Sequence, residues 1–317
     1  MRDKKIVILG TGGTIAGVSH DAASPINYTA AKVGVAQLAQ AAGQLVRDIE
    51  TEQVAQIDSK DMSFAVWTAL ASRVQHHLAR PDVQGVVITH GTDTLEETAY
   101  FLQCVLGPAK PVVLTCAMRP ANALAPDGPQ NIQDAVVVAQ QPGAQGVVVV
   151  CAGTVHNARD VQKIHTYQLA AFSSGDAGAM GYIEDNRLRL VKSWPKADKN
   201  AAGDATNNVA TLHQCSSWPW VDIVLNYAGV TGTAVDALVT AGVQGLVVAG
   251  TGNGTVHQAL ESALVKAQAQ GVLVVRATRC TQGQVFARAD DKFPTADGLS
   301  PVKARVRMLL QLLGVRV

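Results

Sequence analysis

Short apolar runs rich in β-branched residues, divided by glycine-bearing polar turns, set the rhythm of this chain. Ile6-Val7-Ile8-Leu9, Val83-Gln84-Gly85-Val86-Val87-Ile88 and Gly146-Val147-Val148-Val149-Val150-Cys151 show no alternation of apolar and polar positions. Such runs predict strands buried on both faces, as in a parallel sheet. Between them apolar residues recur at helical spacing, as at Leu95, Ala99, Leu102 and Leu106. The pattern predicts strands over 6–9, 54–57, 83–88, 111–115 and 146–151, and helices over 32–42, 63–79, from 95 onward and over 131–140. Residues 194–220 carry Pro195, Lys196, Asp198, Lys199, Asn200, Gly203, Asp204, Asn207 and Asn208, with little apolar pattern until Val209, and read as a linker. Beyond it, strands are predicted over 221–225, 245–249 and 272–276, with helices between and a closing helix over 301–313. The expected class is α/β with a mostly parallel sheet, organised as domains 1–193 and 216–317 around a linker over 194–215.

The turns after these strands carry more polar chemistry than a connection needs. Strand 83–88 runs into Thr89-His90-Gly91-Thr92-Asp93-Thr94, at the end of a parallel strand where open α/β sheets place ligands. Asp93 with Glu96, or Thr94 with Glu97, also fits a capping box. Thr92 needs another explanation, because a cap does not require a second hydroxyl beside it. The first strand runs into Gly10-Thr11-Gly12-Gly13-Thr14-Ile15-Ala16-Gly17. A dinucleotide fingerprint fails there, because Ile15 stands where its third glycine belongs and no acid follows at the ribose distance. What the glycines allow is close backbone approach around Thr14. Residues 19–32, with Pro25, Asn27 and Tyr28, read as a loop behind that threonine, so Tyr28 is a lid residue or a core aromatic. Strand 54–57 ends in Asp58-Ser59-Lys60-Asp61, and Arg159-Asp160-Val161-Gln162-Lys163 is a polar loop whose lysine is a surface cation or a participant. Val243-Gln244-Gly245-Leu246-Val247-Val248 before Gly250-Thr251-Gly252-Asn253 resembles the 83–94 unit. Any βα unit looks like this, so duplication does not follow, but the shared polar turn marks Asn253 as a candidate.

Composition narrows the classes. At 317 residues, 48% hydrophobic and 16% charged, the chain has the content of a two-domain globular protein. A net charge of +1 gives no footprint for nucleic acid or an anionic membrane. No apolar run approaches the roughly 20 residues of a membrane helix. The first strand begins by Ile6 with no apolar leader ahead, which places the protein in the cytoplasm, or in the periplasm after removal of a leader. Cys104, Cys116, Cys151, Cys215 and Cys280 are odd in number and far apart in sequence, and there is no Cys-x-x-Cys or His-Glu-x-x-His, so neither a disulfide framework nor a metal site is expected. His76 and His77 fall on a predicted surface helix.

Thr14, Ser59, Thr92 with Asp93, and a lysine after a later strand thus form a nucleophile-and-base constellation. A threonine hydroxyl needs a base or relay to attack a carbonyl. Lys163 supplies one by taking a proton from Thr92, with Asp93 orienting the lysine and backbone amides of the glycine turns holding an oxyanion. Thr11-Gly12-Gly13-Thr14-Ile15-Ala16-Gly17 and His90-Gly91-Thr92-Asp93-Thr94-Leu95-Glu96-Glu97-Thr98-Ala99 resemble the two signature segments of the bacterial L-asparaginase family. The similarity continues in collinear order through Asn27-Tyr28-Thr29, Ala117-Met118-Arg119-Pro120, Asp127-Gly128-Pro129, Asp160-Val161-Gln162-Lys163, Gly252-Asn253-Gly254 and Pro301-Val302-Lys303-Ala304-Arg305.

The resemblance implies a larger N-terminal and a smaller C-terminal α/β domain, in a homotetramer built from tight dimers. It implies Thr14 as nucleophile, assisted by Tyr28, with Thr92, Asp93 and Lys163 as a second triad. Ser59 and Asp93 would hold the α-carboxylate and α-ammonium of an amino-acid amide, with Gly13, Lys60, Thr92 and Ala117 also lining the substrate site. Asn253 would reach in from the neighbouring subunit. The implied reaction is side-chain amide hydrolysis through an acyl-threonine, with no cofactor. Two residues depart from the family's pattern. Lys60 stands where Gln or Glu is usual after the serine, and Arg288 aligns with a glutamate aimed at the same ammonium. A glutaminase-asparaginase, an amidase for another amide and a catalytically silent amino-acid sensor are the competing readings. The amide-hydrolysing subunit of a tRNA-dependent amidotransferase shares the architecture but carries an extra N-terminal region not seen here.

Overall fold

A computed structural model describes residues 4–21, 27–43, 48–195 and 201–315, and these divide into two compact units, Met1–Ala210 and Thr211–Val317. The first unit opens with β1 (Lys5–Gly12), a 3-10 turn at Thr14–Ala16, and the short strands β2 (Val18–Ser19) and β3 (Tyr28–Thr29). Then come α1 (Val35–Leu38), β4 (Ile49–Ile57), α2 (Phe64–Ala79), β5 (Val83–Thr89), α3 (Leu95–Leu106), β6 (Pro111–Thr115), α4 (Gly128–Ala139) and β7 (Gly146–Cys151). The short strands β8 (Thr154–Asn157), β9 (Gln162–Lys163), β10 (Phe172–Ser173), β11 (Gly181–Glu184) and β12 (Arg187–Leu190) precede α5 (Ala201–Gln214). The second unit holds β13 (Val221–Leu225), α6 (Thr233–Thr240), β14 (Gly245–Gly250), α7 (Gln258–Ala269), β15 (Leu273–Thr278) and α8 (Pro301–Leu312).

An eight-stranded sheet in the order β12-β11-β8-β7-β6-β5-β1-β4 forms the first unit. It is parallel from β4 through β7 and antiparallel from β7 to β12. The run of Val147, Val148, Val149 and Val150 is fully buried because helices cover both faces, which is why β7 shows no alternation. Each such valine contributes about 1.5–3 kcal/mol of burial. The edge strand β4 carries charge instead: Arg73 of α2 donates to Glu52 (Nη2–Oε2, 2.9 Å) and Arg80 makes two bonds to Glu50 at 2.7 and 2.8 Å. Charged side chains on an edge discourage pairing with another sheet. His77, expected on a surface helix face, is buried and bonds Glu52 Oε2 at 2.7 Å, because that acid row draws it inward.

The second unit is a parallel β13-β14-β15 sheet with α6 and α7 packed around Leu246, Val248, Leu260 and Leu264. Three expectations change. The linker over 194–215 contains α5, whose Val209 and Leu212 are buried; residues 196–200 of that stretch lie outside the described residues. The loop over 19–32 pairs through Val18–Thr29 and Ser19–Tyr28, with residues 22–26, including Pro25, outside the described residues. The polar loop around Lys163 is a strand, β9, paired with β10. Cys116 and Cys151, remote in sequence, end neighbouring parallel strands with their sulfurs 3.8 Å apart as free thiols. Among the described residues no helix is long and apolar enough to cross a membrane, and no group of three or more His, Cys, Asp or Glu is arranged to hold a metal ion.

Candidate active site

The carboxyl ends of β1 and β5 are brought into contact by glycine. Gly13 has φ 80° and ψ −173°, a conformation essentially confined to glycine. A Cβ there would fall 2.2 Å from Gly91 Cα. This backbone contact sets the Thr14 turn directly against the turn that bears Thr92. Thr14 follows in the 3-10 turn, and its Oγ1 lies 2.7 Å from the Tyr28 hydroxyl. Tyr28 is presented by the β2–β3 pair, which Asn122 anchors by accepting from the Ser19 amide at 2.7 Å and donating to its carbonyl at 2.8 Å. A Cβ on Gly17 would lie 2.8 Å from the Tyr28 ring, so that glycine makes room for the aromatic.

The β5–α3 turn gathers the second set. Lys163 Nζ donates to Thr92 Oγ1 at 2.8 Å and to Asp93 Oδ1 at 2.6 Å, and Thr92 donates to Asp93 Oδ1 at 3.4 Å. Thr92 is buried while the Asp93 side chain is 50% exposed, so the ammonium bridges an enclosed hydroxyl and a carboxylate open to ligand. The lysine side chain is 20% exposed, partly screened rather than fully desolvated. Placing it on β9 gives its backbone a fixed register, and its amide also donates to Glu96 Oε1 at 3.4 Å. Ser59 is buried at the end of β4, where its Oγ accepts from the Asp93 amide at 3.1 Å. Thr94 occupies the N-cap of α3 without a side-chain cap, and its hydroxyl donates instead to the Ser59 carbonyl at 2.8 Å. Thr94 and Glu96 are thus contacts that sequence reasoning did not assign, since capping accounted for both.

Other candidates fall elsewhere. Ala117 is buried just after β6, in a segment fixed by Asp127, whose carboxylate accepts from the Met118 and Arg119 amides at 2.9 Å each. Lys60 points outward, 62% exposed and ion-paired with Asp61, which holds its ammonium above the usual lysine range through that hydrogen bond. Asn253 belongs to the second unit, where its Oδ1 accepts from the Phe286 amide at 2.8 Å and its Nδ2 donates to the Phe286 carbonyl at 3.4 Å. Arg288 donates its amide to Asp291 Oδ2 at 2.7 Å, and Asp291 is ion-paired with Arg276.

His90, immediately before the site, is buried, with Nδ1 2.7 Å from the Gly91 carbonyl and Nε2 without a hydrogen-bond partner. Burial lowers its pKa from the ordinary 6.5 to about 4. The folded protein therefore keeps the ring neutral while the unfolded chain protonates it below 6.5. Its contribution is fully present above 6.5 and is lost as pH falls through about 4. Between pH 7.5 and 4.5 this costs about 2–3 kcal/mol of stability. Denaturant titrations at the two pH values should show that loss, and His90→Gln should lose less by that amount.

Together the fold and this site define an α/β protein in which threonine hydroxyls, a carboxylate and a lysine gather at the carboxyl ends of parallel strands. Comparison with known proteins is in keeping with that class. Residues 5–196 match the family described as asparaginase, N-terminal, and residues 220–314 match the glutaminase/asparaginase C-terminal domain. The chain is 41% identical to L-asparaginase 2 of Escherichia coli (strain K12), covering 97% of this chain and 88% of that protein. It is 37% identical to the glutaminase-asparaginase of Pseudomonas fluorescens biotype A, covering 97% and 86%. The crystal structure of a probable cytoplasmic L-asparaginase from Campylobacter jejuni superposes with a TM-score of 0.89 at 38% identity, covering 98% of this chain and 95% of that one. The chain belongs to the asparaginase family.

Proposed function

We propose that this protein hydrolyses the side-chain amide of L-asparagine, giving L-aspartate and ammonia through an acyl-threonine intermediate. The observation that carries the reading is the contact of Lys163 Nζ with both Thr92 Oγ1 and Asp93 Oδ1, at 2.8 and 2.6 Å, in a chain of this family. Thr14 Oγ1 attacks the amide carbon and passes its proton toward Tyr28, 2.7 Å away. The C–N bond breaks as nitrogen takes up a proton and leaves as ammonia. Water then attacks the Thr14 ester, the C–O bond breaks, and the carboxyl product departs with the Thr14 hydroxyl restored. Thr92, Lys163 and Asp93 relay protons, Lys163 accepting when its amine is neutral and Asp93 holding it in place. Ser59 and Asp93 recognise the α-carboxylate and α-ammonium, with Gly13 and Ala117 along the pocket.

In the assembly we infer a homotetramer of tight dimers, with Asn253 contributed by a neighbouring subunit, and a cytoplasmic location. Similarity to relatives named glutaminase-asparaginase supports L-glutamine as an alternative substrate of this protein. The test is ammonia release from L-asparagine, D-asparagine and L-glutamine. L-asparagine is expected to be the fastest, with activity lost in Thr92→Ala. Equal rates on L-glutamine would favour the dual-substrate reading, and silence on all three would overturn both.

A further inference from the structure

Thr94 is not used as the cap its position suggests. It lies at φ −120° and ψ 15°, makes no side-chain bond to its own helix, and gives its hydroxyl to the Ser59 carbonyl at 2.8 Å. The preceding residue gives its amide to Ser59 Oγ at 3.1 Å. Two consecutive residues of the β5–α3 turn therefore hold Ser59 at both its oxygens. The space is filled as well, since a Cβ on Gly91 would fall 2.4 Å from Ser59 Oγ. The Ser59–Asp61 turn has its own closure, with the Met62 amide donating to the same Ser59 carbonyl at 3.1 Å. Removing the Thr94 hydroxyl thus leaves that carbonyl bonded. What is lost is the tether between the turn and the start of α3.

We propose that Thr94 is a positioning residue for substrate recognition. It fixes the Ser59 hydroxyl beside Asp93 and so sets affinity for the α-amino and α-carboxylate groups, without entering the proton relay at Lys163. This rests on the amidase reading above. Lys163 bonds the Thr92 hydroxyl and the Asp93 carboxylate, whereas Ser59 bonds the Asp93 amide and the Thr94 hydroxyl, so removing the Thr94 hydroxyl leaves both Lys163 bonds in place.

Thr94→Val replaces the hydroxyl with a methyl of similar volume. It is expected to raise KM for L-asparagine by about five- to tenfold, the size of one hydrogen bond. The inhibition constant of L-aspartate should rise by the same factor, while kcat stays within about twofold and the thermal midpoint barely moves. Thr94→Ser, which keeps the donor, should restore both constants. If Thr94→Val fails to fold, Thr94→Ala carries the same readout. Unchanged KM and L-aspartate inhibition in a preparation whose wild type is active would overturn the assignment and leave the amidase reading standing. A fall in kcat with a lowered thermal midpoint and no rescue by serine would also overturn it, in favour of a structural role. A wild type silent on amides would overturn both.

Discussion

Lys163→Met is expected to lower kcat for L-asparagine by about 10²–10⁴-fold, the usual range for a positioned acid–base group. The thioether fills the space of the lysine stem but carries no proton. Thr92 Oγ1 then loses its 2.8 Å contact and Asp93 its 2.6 Å ion pair. Because the ammonium is 20% exposed and the carboxylate 50% exposed, solvent replaces most of what the pair gave to stability. The thermal midpoint should therefore move little. Steady-state kinetics beside a melting curve separates the two effects. A retained kcat would remove Lys163 from the chemistry.

Gly13→Ala should be the most damaging single methyl in the first unit. Its φ of 80° with ψ −173° lies where other residues are strained by about 1–3 kcal/mol. The new Cβ would also meet Gly91 Cα at 2.2 Å and Gly91 N at 2.3 Å, both backbone atoms that cannot rotate aside. Overpacking of that kind costs about 1–3 kcal/mol more. Relief requires the Thr14 turn and the Thr92 turn to separate, so activity should fall at least about tenfold along with a melting point lowered by several degrees. Gly34→Ala is the control: its φ is −73° and nothing lies within 4 Å of the added carbon. That variant should match wild type within about 0.5 kcal/mol.

How much of this was legible in the chain follows from burial. The central strands announced themselves because helices on both faces leave no polar positions to interrupt Val147–Val150. Thr92, Asp93 and Thr14 stood out as candidates because polar groups at the end of such strands have few structural uses. Lys163 was not placed by its own sequence, since a two-residue strand has too few positions to show a period. The α5 helix was hidden by Asn, Asp and Gly, which weaken local helix preference and leave packing of Val209 and Leu212 to decide. The β11–β12 hairpin turns at Asp185 and Asn186, both with positive φ, and its short polar strands resemble loop. Thr94 was misjudged for a different reason: a hydroxyl at a helix start can accept from its own helix amides or donate to a carbonyl elsewhere, and only the fold brings the Ser59 carbonyl within reach.

The most direct measurement is ammonia and aspartate release from L-asparagine by wild type and Thr14→Ala at equal concentration. The proposed chemistry predicts one ammonia per aspartate from wild type and a rate at or near background from the variant, with both proteins equally folded. Undiminished release by Thr14→Ala would contradict the acyl-threonine route, and no release by wild type would contradict the function itself.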